Sequence, residues 1–188
     1  QQRIESFIRH GPRLRLVQGS GLRTGVVELA RLVSEHRDGS TALFVDYLQK
    51  IPAPGELREC DERTTYLAER LKELAMVAEV PVVALAAADK EGLTTRRLRL
   101  SNLRGSTALA HECDIAILLN EKSVAVSKSH LAFDPVRAET FRRWVVFGVE
   151  KNREGAPDMN LEFRKDLANY RFDPAGGFVS EALVDSVL

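Results

Sequence analysis

The chain has 188 residues with 27 basic and 27 acidic side chains, so its formal net charge is zero; a nucleic-acid site, if there is one, must be a local patch. That length suits one domain, or most of one, with a sizeable core; no apolar stretch approaches the roughly 20 residues of a membrane span, and no signal peptide is visible. Cys60 and Cys113 stand far apart without a C-x-x-C, which argues against a disulfide framework and fits reduced intracellular thiols.

In chain order, Leu14–Val17 reads as a short strand and Leu22–His36 as an amphipathic helix, with Leu22, Val26, Leu29, Ala30 and Val33 on one stripe. Asp38-Gly39-Ser40 is a turn. The run from Thr41 to Val45 then ends abruptly in Asp46. A near-continuous apolar run suits a strand buried on both faces of a parallel sheet, and ligands of such sheets bind beyond the strands' carboxyl ends. Pro52, Pro54 and Gly55 open a loop. Asp61–Glu79 is a second helix, burying Leu67, Leu71, Leu74, Ala75 and Ala78, and Val80–Ala86 is a second strand. Strand, helix and strand at this spacing form a βαβ unit with parallel strands.

After Ala87 the chain turns polar and arginine-rich as far as Arg104. A short helix over Ser106–Glu112 leads into a strand at Ile115–Leu119, and Asn120–Phe141 reads as an irregular insertion. Trp144–Val149 and Asn160–Arg164 form a hairpin around Arg153-Glu154-Gly155-Ala156-Pro157. Residues 173–188 read as a loosely packed tail, with a late helix over Glu181–Val187. The alternation of strands and helices makes the chain α/β.

Three groups of residues invite chemistry. Asp46 is either a Mg²⁺-associated carboxylate or an acid that simply ends a strand. Lys151 and Arg153 alternate onto one face at a strand end; two cations there suit a triphosphate, or else stand solvated and pair with Glu150 or Glu154. Arg96, Arg97, Arg99 and Arg104 lie in a stretch with no acidic residue between Glu91 and Glu112. Arginines and exposed backbone amides suit phosphates and make sequence-independent, salt-sensitive contacts; the alternative is a flexible solvated loop. Aromatic stacking platforms are absent from it. His111-Glu112-Cys113-Asp114 lacks the second histidine of H-E-x-x-H and reads as no metal site. His10, His36 and His130 have no companions in sequence.

Asp46-Tyr47-Leu48-Gln49, Val80–Leu85, Leu100–Ser106, Asp114–Leu119 and Lys151-Asn152-Arg153 together resemble, in order and spacing, the DnaB-like replicative helicase C-terminal domain. The likeness runs from about Gly19 to Phe172. It implies a RecA-like core: a mostly parallel central sheet flanked by helices, with a C-terminal β-hairpin, over residues 1–188 as a single, partial domain. It further implies ATP and Mg²⁺ as cofactors, single-stranded DNA as partner, a ring of subunits (usually a hexamer) and a cytoplasmic location. Asp46 would act in its own subunit, Lys151 and Arg153 on a neighbour's ATP as a finger pair, and Arg96, Arg97, Arg99, Arg104, Gly105 and Thr107 on DNA, within a central-channel loop over Ser101–Thr107.

The sequence also departs from that family. The phosphate cradle G-x-x-x-x-G-K-[ST] is absent, since none of the seven lysines follows a glycine. The P-loop strand and helix are therefore expected upstream in a longer polypeptide, and this chain alone is expected to be inactive. Gly105 replaces the usual acidic residue, Thr107 stands where glycine is common, and Ala86-Ala87 stand where a Ser-Gln pair is usual. The rival readings are a non-catalytic RecA-like binding module and a RecA-like ATPase of recombination or regulation.

Overall fold

A computed structural model describes residues 11–57, 59–127 and 135–184. The first half is built on the expected βαβ unit. Helix α1 (Val26–His36) precedes strand β1 (Leu43–Val45), helix α2 (Cys60–Ala78) follows, and strand β2 (Val82–Ala84) returns parallel to β1, with Phe44 opposite Val83. Leu29 of α1, Leu67, Leu71 and Leu74 of α2, and Leu48 and Ile51 after β1 form one buried cluster. Each such side chain contributes about 1.5–3 kcal/mol of transfer free energy. Helix α2 stops because Glu79 turns left-handed (φ +51°), and the Val80 N–H then bonds back to the Ala75 carbonyl at 3.1 Å, a Schellman-type ending. Helix α1 begins later than its apolar stripe suggests. Leu22 sits in a turn, where the Arg23 and Thr24 N–H groups both bond to the Ser20 carbonyl.

The second half follows helix α3 (Ser106–Glu112). Strand β3 (Ile115–Glu121), helices α4 (Lys122–Ala125) and α5 (Pro135–Phe141), and strands β4 (Trp144–Asn152), β5 (Met159–Asp166), β6 (Arg171–Phe172) and β7 (Gly177–Phe178) complete the described chain. The strands form one antiparallel sheet in the order β3-β4-β5-β6, with β7 also on β5. A second core of Ala125, Val126, Phe141, Val146 and Leu183 lies against it.

Four expectations change here. The central sheet is not mostly parallel: among the described residues parallel pairing is confined to β1–β2, and the main sheet is antiparallel. Strand direction depends on which segments meet across the chain, and apolar runs do not encode that. Strand β1 is covered on one face only, since Phe44 is 74% exposed and Val83 opposite it 46%. Leu14–Val17 forms no strand, lies open to solvent and has no neighbour to pair with among the described residues. The insertion after Asn120 is ordered into α4 and α5, with residues 128–134, and so His130, outside the described residues; His10 is also outside.

The tail packs more closely than its glycines suggest. Gly176 runs so near Phe163 that a Cβ there would lie 2.3 Å from that ring's Cε1. Strand β7 pairs with β5, and Leu183 is 4% exposed and bridges to Val126. Residues 181–184 are not helical, and the remainder of the expected late helix lies outside the described residues.

Candidate functional site

Asp46 stands exposed at the carboxyl end of β1. The two parallel strands stay joined beyond their last paired residues: the Leu85 N–H bonds to the Val45 carbonyl at 2.9 Å and the Leu48 N–H to the Leu85 carbonyl at 2.8 Å. Gln49 then clasps Ala87, accepting from its N–H at 3.1 Å and donating to its carbonyl at 3.5 Å. Asp46 and the Ala86-Ala87 pair therefore share the end of the sheet where ligands of α/β folds bind. Among the described residues no cluster of three or more His, Cys, Asp or Glu side chains could hold a metal unaided. A Mg²⁺ ion at Asp46 would therefore need oxygens from a nucleotide and water, which is how that ion is commonly held.

Lys151 and Arg153 converge. A bulge shifts the register between β3 and β4, so that Ala116 faces Lys151 while Ile117 faces Val149, leaving Glu150 extra. Beyond it the two cations reach the carboxyl end of α3. Lys151 Nζ donates to the Ala110 carbonyl at 2.5 Å and to the His111 carbonyl at 3.2 Å, and Arg153 Nη2 donates to the same His111 oxygen at 3.1 Å. Unsatisfied carbonyls and the negative helix end favour cations there. Asp114 completes the group. Its carbonyl accepts the Arg153 backbone N–H at 2.8 Å, and its carboxylate lies 3.3 Å from Arg153 Nη1 and 2.6 Å from Lys72 Nζ of α2. The Lys72 ammonium, then Arg153 and Lys151, hold the Asp114 carboxyl below its ordinary pKa. Burial raises the neighbouring Cys113 thiol, so that cysteine is a poor nucleophile. Neither suggested partner pairs with the cations: Glu150 instead accepts from Arg99 at 2.8 Å and from the Leu100 N–H at 2.7 Å.

The arginine-rich loop is not a free tether. It lies on one face of the antiparallel sheet, held by polar side chains that project from the strands. Asn120 accepts from the Leu98 N–H at 2.6 Å and donates to the Leu98 carbonyl at 3.1 Å. Arg97, 5% exposed, donates to Asn160 Oδ1 at 3.0 Å and to the Val184 carbonyl at 3.1 Å. Arg96 donates to the Val124 and Val126 carbonyls, both at 3.2 Å. The loop thus commits Arg96, Arg97 and Arg99 to the protein. Arg104 and Thr107 are exposed, and among the described residues Arg104 makes no hydrogen bond or ion pair. Gly105 between them is left-handed (φ +74°), and a Cβ there would lie 2.4 Å from Thr64 Cγ2 of α2.

Sequence reasoning missed Lys72, Asn120, Asn160 and the side chain of Asp114. Asn120 carried a signal, as an amide directly after an apolar run, whereas Asn160 lies in a strand of mixed polarity and carried none. The Lys72–Asp114 pair carried none, because it joins distant segments.

Comparison with known proteins fits this geometry. The family model described as the DnaB-like helicase C-terminal domain matches residues 18–172. The replicative DNA helicase DnaB of Pasteurella multocida is 34% identical over 119 residues, covering 60% of this chain and 25% of the relative. The DnaB of Rickettsia bellii is 30% identical over 144 residues, covering 75% and 27%. A probable plasmid replicative DNA helicase of Chlamydia psittaci is 32% identical over 102 residues, covering 52% and 21%. The chain spans about a quarter of the length of these relatives. With most of its length matched by that one model, on the βαβ unit and on the strand at whose end Lys151 and Arg153 lie, the chain belongs to the family of DnaB-like helicase C-terminal domains.

Proposed function

We propose that this domain is part of an ATP-driven replicative DNA helicase motor, working in a ring of subunits, a hexamer, in the cytoplasm. Nucleotide with Mg²⁺ binds at the carboxyl end of β1, where Asp46 holds the ion through water or directly. Lys151 and Arg153 reach the triphosphate of a neighbouring subunit. The loop around Arg104, with Gly105 and Thr107, follows the backbone of single-stranded DNA. ATP supplies the driving reaction, and the phosphate cradle comes from residues outside these 188, which contain no P-loop motif.

The convergence of Lys151 and Arg153 on the His111 carbonyl carries this reading. Two cations held together at an exposed strand end match the stabilisation that phosphoryl transfer requires, where a finger of this kind is worth about 10³–10⁵ in rate. The replicative helicases among the relatives support the same assignment. The test is ATP hydrolysis by the complete gene product, with and without single-stranded DNA, alongside Lys151→Ala and Arg153→Ala. The expected result is DNA-stimulated turnover in the parent, and turnover lowered about 10³-fold or more in either variant with nucleotide binding retained. Near-normal turnover in both variants would remove the finger assignment.

A second reading has one observation in its favour. Ala86 and Ala87 stand where the family resemblance expects Ser-Gln, and a methyl cannot hydrogen-bond a phosphate or a water. A complete protein that binds DNA without hydrolysing ATP would be a RecA-like scaffold kept for binding.

A further inference from the structure

We propose that Asp114 is the positioning residue for Arg153, holding its guanidinium in place before a nucleotide phosphate arrives. The proposal rests on the reading that Lys151 and Arg153 meet a neighbour's nucleotide. An arginine at an exposed strand end loses rotamer freedom when it is fixed. Arg153 is already held at three points: its backbone N–H on the Asp114 carbonyl, Nη2 on the His111 carbonyl, and Nη1 beside the Asp114 carboxylate. A guanidinium carries five N–H donors, so donors remain for phosphate oxygens.

The distances show why Asp114 positions Arg153 without trapping it. Lys72 Nζ lies 2.8 and 2.6 Å from the two carboxylate oxygens, whereas Arg153 Nη1 lies 3.3 Å from one of them. Charge-assisted hydrogen bonds of about 2.7–2.9 Å are the strong ones. The carboxylate is therefore anchored first to α2 through Lys72, and it offers Arg153 a longer contact that a phosphate oxygen can replace. Lys72 also offsets the negative charge that would otherwise compete with the phosphate. The same carboxylate ties Arg153 to α2, the helix packed beneath β1 and hence beneath Asp46.

The test uses the complete helicase and compares Asp114→Asn, Arg153→Ala and the double variant by steady-state ATP hydrolysis with saturating single-stranded DNA. Asparagine keeps the size and the backbone contact and removes the charge. A residue that acts only through Arg153 predicts three results. Asp114→Asn lowers kcat about tenfold or more, KM for ATP stays within about twofold, and the double variant is no slower than Arg153→Ala alone. Wild-type kcat in Asp114→Asn, with turnover lost in Arg153→Ala, would overturn the proposal and leave the finger reading intact. So would a double variant slower than Arg153→Ala by the full Asp114→Asn factor. Normal turnover in Arg153→Ala would instead remove the finger reading, and this proposal with it.

Discussion

At Gly105 a missing side chain separates this chain from the family pattern. The residue adopts φ +74°, and the space its Cβ would need is filled by Thr64, itself 1% exposed. Left-handed backbone at a non-glycine residue costs about 1–3 kcal/mol, and the steric overlap adds to that. Gly105→Ala is therefore expected to lower stability by more than about 1 kcal/mol, read as a fall in Tm; an unchanged Tm would mean that α2 and the loop separate freely. The departure at Gly105 is legible in the sequence, but its cause is not, because Thr64 belongs to a distant helix. The next residue back carries a different prediction. Arg104 is exposed while Arg96, Arg97 and Arg99 are tied to the protein. Arg104→Ala should weaken single-strand binding of the complete protein and reduce the salt slope by about 0.7, the expectation for one phosphate contact on a single strand. A slope identical to the parent's would move the DNA contact elsewhere.

Among elements, what was legible follows from period and what was not follows from pairing. The stripe Leu67, Leu71 and Leu74 and the βαβ spacing are local, so α2 and the parallel β1–β2 pair were readable; so was the hairpin β4–β5, whose strands are neighbours in sequence. The direction of the main sheet and the packing of the tail depend on contacts that only the folded chain creates. Helix α4 shows this most clearly, because within a predicted irregular insertion it places Lys122 inside the protein. Its ammonium pairs with Glu162 of β5 and, at 2.8 Å, with Glu181 of the tail, and it lies 4.5 Å from the centre of the Phe141 ring. The Lys122 and Glu181 side chains are only 4% and 5% exposed. Removing one partner of a buried ion group leaves uncompensated charge, typically at a cost of about 3–5 kcal/mol. Lys122→Ala should destabilise the domain by that amount in urea unfolding, and replacing Glu162 and Glu181 by glutamine in the same chain should recover part of it. A Lys122→Ala cost below about 1 kcal/mol would show that water already reaches these carboxylates.

For the molecule as a whole, one carboxylate bonds to both halves of the chain. Lys72 belongs to the βαβ unit, Arg153 extends from the antiparallel sheet, and Asp114 contacts both. No periodicity in the sequence announces that junction, although Asp114 opens a segment the family resemblance picks out. Its folded pKa is depressed, so its contribution to stability is fully present above the unfolded value of about 4 and is lost as pH falls through the lower folded value. The side chain is 52% exposed, so salt and solvent screen the contribution, and at neutral pH Asp114→Asn should cost less than about 1 kcal/mol. The expected signature is therefore a shape rather than a size. Urea midpoints measured from neutrality down to about pH 3 should fall less steeply in Asp114→Asn than in the parent, and the two curves should approach each other at the acid end. Parallel curves would mean that the carboxylate titrates alike in the folded and unfolded chains and joins nothing. The small cost at neutral pH also separates two roles of one residue: a large loss of kcat in this variant would not come from unfolding, and would trace to the seating of Arg153.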